Sequence, residues 1–271
     1  MRRIMATGPA TVRPAMRKRL RQRYTPPRAV ALIVMAMLLP WPATGEPPAE
    51  DRYERERLAL VRDIEAHVQR TSDYLGRATL SARTIVALEQ TPRHEFVPEA
   101  LRDFAYADRP LPIGHDQTIS QPYIVAIMTD LLDLEPGCTV LDVGTGSGYQ
   151  AAVLARLCAH VYTIEIVEPL GRSARSRLTR LGYDNVAVRI GDGFDGWADH
   201  APFDGIIVAA VAEEIPPPLL DQLKPGGRVI MPVGNRAGHQ DLIVVERRID
   251  GSLAETIVLP VRFVPLIRDE E

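Results

Sequence analysis

The chain has 271 residues, enough for one large α/β domain with an appendage or for two small domains. Hydrophobic residues at 46% and charged residues at 25% fit a globular protein with a sizeable core and exclude a disordered or fibrous chain. The formal net charge of -3 leaves no overall electrostatic footprint for nucleic acid, and none is expected as a partner.

The charge is unevenly placed. Arg2, Arg3, Arg13, Arg17, Lys18, Arg19, Arg21, Arg23 and Arg28 all precede an apolar run from Ala29 to Leu39, and no acidic residue occurs before Glu46. A basic lead, a short apolar run and then Pro40, Pro42, Ala43, Thr44 and Gly45 follow the order of a secretory signal, and the run is too short to span a bilayer comfortably. A basic tail with a sticky segment is the plainer alternative, and Met16 offers a later start. Membrane contact, if any, is expected through this segment only. Prolines 40, 42, 47 and 48 make a linker, so residues 1–50 fall outside the expected fold and the folded domain is 51–271.

From Tyr53 to His67, Leu58, Leu60, Val61 and Ile64 recur at helical spacing, and a second helical pattern covers Ser81 to Glu89. These form an expected N-terminal helical cap. Phe96-Val97-Pro98 opens an irregular stretch to Gly114, followed by a helix from about Gln121 to Leu132. From Thr139 onward strand and helix patterns alternate, the mark of a doubly wound, mostly parallel sheet. Strands are expected at 139–143, 161–165, 186–190, 204–208 and 227–233, with helices at about 149–158, 169–181 and 216–223. Runs at 241–248 and 255–261, joined through Asp250-Gly251, read as a closing antiparallel hairpin. Cys138 and Cys158 are the only cysteines; they lack metal-ligand spacing, no metal is expected, and two buried free thiols suit a reducing compartment.

Val140-Leu-Asp-Val-Gly-Thr-Gly-Ser-Gly148 is a buried strand breaking into alternating glycines ahead of a helix, the build of a nucleotide-cofactor cradle. Gly144, Gly146, Ser147 and Gly148 would line it. Glu165 falls about 20 residues past the first glycine, where a carboxylate can accept ribose hydroxyls. Asp192, before Gly193 at the end of the third strand, is placed to receive an adenine amino group, and Asp142 to hold an ammonium. Taken singly, Glu165 is equally a solvated strand end, Asp192 a turn former and Asp142 a turn-stabilising acid. Their fall at successive strand ends favours the site. The glycine spacing departs from the dinucleotide fingerprint, since Tyr149 stands three beyond Gly146. That disfavours a nicotinamide oxidoreductase and suits S-adenosylmethionine.

Leu111-Pro-Ile-Gly-His-Asp-Gln-Thr-Ile-Ser-Gln-Pro-Tyr123, the cradle with Tyr149-Gln150, Gly191-Asp-Gly193, Pro202-Phe-Asp204, Leu223-Lys-Pro-Gly-Gly227, Met231-Pro-Val-Gly234 and Val261-Arg-Phe-Val-Pro-Leu266 together resemble the protein-L-isoaspartate O-methyltransferases. Thr118 to Pro122 and Arg262 to Leu266 are the parts most particular to that family. The resemblance implies a seven-stranded, Rossmann-like methyltransferase sheet with an antiparallel C-terminal hairpin, divided into a helical cap and substrate segment at 51–135 and a cofactor-binding sheet at 136–271. It implies methyl transfer from S-adenosylmethionine to the α-carboxyl of L-isoaspartyl residues in damaged proteins and peptides, by a monomer. Ser120 matches the family's active-site serine, and Ile119, Val264 and Pro265 its substrate-facing segments. Gly144, Gly146, Gly148, Glu165, Asp192 and Gly193 match its cofactor contacts.

Ser120 is equally suited, by local sequence, to cap the helix after Pro122. Asp116 stands where the family has glycine, the neighbouring His115 reads as an exposed loop histidine, and Ala209 to Glu213 lacks the family's early proline. Arg262 fits either a substrate carboxylate or a structural ion pair. The cytosol is the expected compartment, because S-adenosylmethionine is made there; the alternative is a periplasmic or membrane-tethered protein held through 29–39.

Overall fold

The computed structural model describes residues 49–235 and 238–268, so the basic lead and the apolar run at 29–39 lie outside the described residues. Among those residues, no helix is long and apolar enough to cross a membrane.

Helix α1 (Ala49–Arg70) starts just ahead of the expected boundary and buries Leu60, Val61, Ile64 and Val68, one stripe at helical spacing. It ends at Thr71, whose hydroxyl donates to the carbonyls of His67 and Val68. A short α2 (Ser72–Leu75) stops at Gly76, which takes φ +64°. Helix α3 (Ala82–Gln90) is capped by Ser81, whose hydroxyl accepts from the Thr84 amide. Helix α4 (Pro122–Leu131) packs against α1 and α3. Its buried Asp130 accepts from Arg77 Nη1 at 2.7 Å and from the Ser81 amide at 2.8 Å, so one carboxylate ties the cap to α4.

Between α3 and α4 the stretch expected to be irregular holds two 3₁₀ turns, Arg93–Phe96 and Glu99–Phe104, and a hairpin of β1 (Leu111–Gly114) and β2 (Gln117–Ile119). The hairpin's turn is His115-Asp116, at φ +52° and +56°. The left-handed region explains why glycine suits this turn and why aspartate is tolerated there. Both side chains are exposed.

The main sheet contains β3 (Thr139–Val143), β4 (His160–Glu165), β5 (Val186–Ile190), β6 (Phe203–Val208), β7 (Leu223–Gly234), β8 (Gln240–Arg247) and β9 (Leu253–Pro260). Its order is β5-β4-β3-β6-β7-β8-β9, parallel as far as β7 and antiparallel beyond it. Helices α5 (Tyr149–Ala155), α6 (Glu168–Arg180) and α7 (Pro217–Asp221) fill the crossovers. Alternate residues divide between two cores: Val140, Val161 and Ile207 join the cap helices and α5 on one face, while Leu141, Val143, Ile206 and Val208 form the other. A strand sandwiched this way is apolar on both faces, as its uninterrupted sequence required.

Cys138 and Cys158 are buried, as expected, but joined in a disulfide. Parallel pairing of β3 with β4 brings the two Cα atoms to 4.6 Å, within bridging range. The free-thiol expectation is therefore corrected.

Candidate active site

The order of the strands reverses between β3 and β6, the place where open α/β sheets leave a crevice at the carboxyl ends of their strands. A cavity occupies it, lined by Gly144 to Ser147 after β3, Glu165 at the end of β4, Gly193 after β5 and Ala209 after β6. Gly144, Gly146 and Gly148 take φ of +94°, +51° and +87°, so the chain leaves β3 through backbone shapes that side chains resist. The Gly146 amide donates to Glu165 Oε2 at 2.6 Å, while Glu165 Oε1 accepts from the Val167 amide at 2.9 Å. One buried carboxylate thus laces the glycine turn to the end of β4 and keeps a lone pair on each oxygen for a ligand. On the far wall, a Cβ on Gly193 would run into the Val143 side chain.

Ser120, Ile119, Gly144, Gly146, Ser147, Glu165, Gly193, Val264 and Pro265 meet around this cavity. Three expected residues do not. Gly148 sits behind the lining as the N-cap of α5, where a Cβ would stand 3.2 Å from Leu178. Asp142 is fully buried within β3. Its Oδ2 accepts from the Thr163 hydroxyl, its cross-strand neighbour, and that hydroxyl meets Thr145 at 2.6 Å. Burial, with Glu165 adding repulsion against the Thr163 hydrogen bond, pushes the Asp142 carboxyl up to about 7. Asp142 thus braces the floor from inside β3, with its Oδ1 unpartnered among the described residues. Asp192 is turned aside: Oδ1 accepts from the Phe194 amide and Oδ2 lies 3.5 Å from Arg268 Nε. It has the partners of a turn former and stands outside the cavity lining.

A second cavity, of about 770 Å³, opens between α1, the Thr118–Ile124 segment and the chain leaving β9. It shares Thr118, Ser120, Ala209 and Val264 with the first. The shared wall is held from behind. The Val211 amide donates to the Val264 carbonyl, Leu266 to Val211, and Gly234 to Ala212, each at 2.8 or 2.9 Å. The 209–212 loop, where the family's proline is missing, is thereby stitched both to the C-terminal segment and to β7.

Two lining residues were not among the expected site residues. His67 comes from α1, and Tyr123 from the first turn of α4. Arg262 borders the second cavity without an ion pair among the described residues, while Val261 and Phe263 on either side pack on the core. The Val261 and Phe263 amides both donate to Gln240, which fixes the alternation that turns Arg262 outward. Beneath this region Arg93 is fully buried, donating to the carbonyls of Ala105 and Arg109 and lying over the Tyr149 ring. Burial brings its guanidinium down to about 10 and pushes the Tyr149 phenol up to about 12.

Of the four residues that both cavities share, Ser120 alone carries a hydroxyl that the sequence marks as a site residue. Its hydroxyl has no hydrogen-bond partner among the described residues, and it does not cap α4, whose N-cap is Gln121. The capping alternative is thus removed.

The family model for protein-L-isoaspartate(D-aspartate) O-methyltransferase matches residues 72–271. Protein-L-isoaspartate O-methyltransferase 2 of Syntrophobacter fumaroxidans is 57% identical over 218 residues, 80% of this chain and 88% of that protein. Protein-L-isoaspartate O-methyltransferase 1 of Cupriavidus necator is 52% identical over 238 residues, 88% and 91% of the two chains. Among solved structures, a protein-L-isoaspartate O-methyltransferase superimposes with a TM-score of 0.65 at 28% identity over 76% of this chain, which spans 65% of that one's length. A Plasmodium falciparum structure in complex with S-adenosyl-L-homocysteine gives a TM-score of 0.67 at 24% identity, covering 79% of this chain and 99% of that one, a likeness of fold. With the sheet order, the glycine turn and the paired cavities, these matches establish that the chain belongs to the protein-L-isoaspartate(D-aspartate) O-methyltransferase family.

Proposed function

We propose that the protein methylates the α-carboxyl of L-isoaspartyl residues in damaged proteins and peptides, with S-adenosylmethionine as donor, and so begins their repair through a succinimide. The observation that carries this reading is the wall shared by two cavities at Ser120: a donor and an acceptor held on either side must meet there. When bound, S-adenosylmethionine supplies an electrophilic methyl on a sulfonium. The residues of the first cavity fit it, since Gly144, Gly146 and Gly193 put backbone without side chains along its lining. Glu165 offers its remaining lone pairs to ribose hydroxyls.

An α-carboxyl has an ordinary pKa of roughly 3.3–3.7, so the acceptor is already ionised at neutral pH and needs no general base. The task of the protein is to hold one carboxylate oxygen in line with the methyl and to strip its water. Ser120 donates a hydrogen bond to the other oxygen, orienting the nucleophile without neutralising it. The ester then leaves the enzyme, and attack by the following backbone nitrogen expels methanol to give the succinimide.

The test is transfer of labelled methyl to matched isoaspartyl and aspartyl versions of one peptide. Label on the isoaspartyl peptide alone is expected; label on neither, or equally on both, overturns the reading. As to compartment, the Cys138–Cys158 disulfide favours an oxidising one and so supports export through the basic and apolar leader over the cytosol. N-terminal sequencing of the mature protein checks it: a start near Glu46 is expected, and an intact leader contradicts it.

A further inference from the structure

Helix α4 follows Ser120 after one residue, the N-cap Gln121, and opens with Pro122, which has no amide hydrogen. Its first free amide is that of Tyr123, a donor that an N-cap side chain ordinarily takes, and the N-cap here, Gln121, makes no such bond. Here the donor goes elsewhere. Asp108, on the stretch before β1, accepts the Tyr123 amide on Oδ1 at 2.9 Å and Gln121 Nε2 on Oδ2 at 3.1 Å. The same Oδ2 lies 3.2 Å from His67 Nδ1. The His67 ring stacks on Tyr123 at 3.8 Å and 15°, and the Tyr123 hydroxyl meets Thr71 Oγ1 at 2.7 Å. Asp108 therefore fixes both residues flanking Pro122, and α1 holds the far side of Tyr123. His67 stands before the first residue that the family model matches.

We propose that Asp108, locked by His67, is the positioning residue of the acceptor site: it takes over the capping of α4, leaving the Ser120 hydroxyl free, and fixes the backbone that aims it at the shared wall. The proposal rests on Ser120 donating to the acceptor carboxylate. Asp108 touches neither reactant and acts through Ser120. Its loss should therefore slow turnover while cofactor affinity and the peptide KM stay nearly unchanged. An amide at this position keeps an oxygen for Tyr123, so Asp108→Asn should restore most of the activity.

The experiment is a double-mutant cycle in the full chain. It measures kcat and KM for an isoaspartyl peptide, with S-adenosylhomocysteine affinity by calorimetry, for Asp108→Ala, Asp108→Asn, Ser120→Ala and the Asp108→Ala/Ser120→Ala pair. Asp108→Ala is expected to lower kcat by about tenfold or more with both affinities within about twofold, and Asp108→Asn to return to within about threefold of wild type. In the Ser120→Ala background, Asp108→Ala should cost less than about twofold, the non-additivity of groups that act as one. A slow Ser120→Ala enzyme in which Asp108→Ala exacts its full penalty again overturns the proposal alone. So does parallel loss of S-adenosylhomocysteine binding, which marks a lesion of the fold. A Ser120→Ala enzyme with full turnover removes the reading of Ser120 and the proposal with it.

Discussion

The two cavities that share Ser120 are built in opposite ways. The donor cavity takes most of its walls from strand ends in one part of the sheet, and its shape is set by backbone: glycines at positive φ, a Glu165 carboxylate tied to two amides, and a buried Asp142–Thr163–Thr145 chain beneath. The acceptor cavity is gathered from α1, the segment after β2 and the chain leaving β9, and its shape is set by side chains. The difference teaches where each function is vulnerable. Donor binding should fail when the floor is filled, whereas acceptor binding should erode one contact at a time.

The largest effect is expected at Gly193. A Cβ there meets Val143, and overpacking a closed wall costs roughly 1–3 kcal/mol, so Gly193→Ala should weaken S-adenosylhomocysteine binding by up to about a hundredfold by calorimetry. Unchanged affinity would break the claim that backbone shapes the donor side.

Asp142 sharpens the same claim through pH. Its carboxyl, raised to about 7 from an ordinary 3.8, binds its proton more tightly in the folded than in the unfolded chain. The stabilisation by that proton is full below pH about 4 and is lost as pH rises through about 7. Between pH 5 and 7 the loss is on the order of 2 kcal/mol. Asp142→Asn should therefore lose less stability than wild type over that interval in denaturant titrations; parallel curves would show that the buried acid is already ionised.

On the acceptor side the expected effect is smaller. Arg262→Ala removes a cation that has no ion pair among the described residues from the cavity rim and should raise KM by about three- to tenfold for a peptide with an acidic neighbour, with kcat unchanged. Equal KM values would leave Arg262 as surface only.

The donor side was the more legible in sequence because a strand, a glycine turn and a helix are contiguous, and Glu165 and Gly193 follow at strand ends. Even there legibility failed inside β3. A strand buried on both faces shows no alternation, so nothing in the pattern separates Asp142, sealed in, from a residue at the rim. Asp192 carried signals of both turn and ligand, and Arg268, which engages it, lies far along the chain. The β1–β2 hairpin escaped notice because His115 and Asp116 stand where its turn would signal glycine. His67 reaches Tyr123 through the packing of α1 on α4, and Asp108 reaches it from the stretch before β1, contacts that no local pattern encodes. The disulfide was hidden in the same way, since its two cysteines become neighbours only when β3 pairs with β4.

The separation of the two sides can be tested most directly by setting Glu165→Ala beside Ser120→Ala, measuring S-adenosylhomocysteine affinity by calorimetry and methyl transfer to one isoaspartyl peptide. Glu165→Ala is expected to lose affinity by about tenfold or more. Ser120→Ala should bind as wild type does but turn over about a hundredfold more slowly, the loss of roughly 2.7 kcal/mol typical of one oriented donor. Equal losses of affinity in both variants, or full turnover in Ser120→Ala, would contradict a donor side and an acceptor side that are separate but for the wall at Ser120.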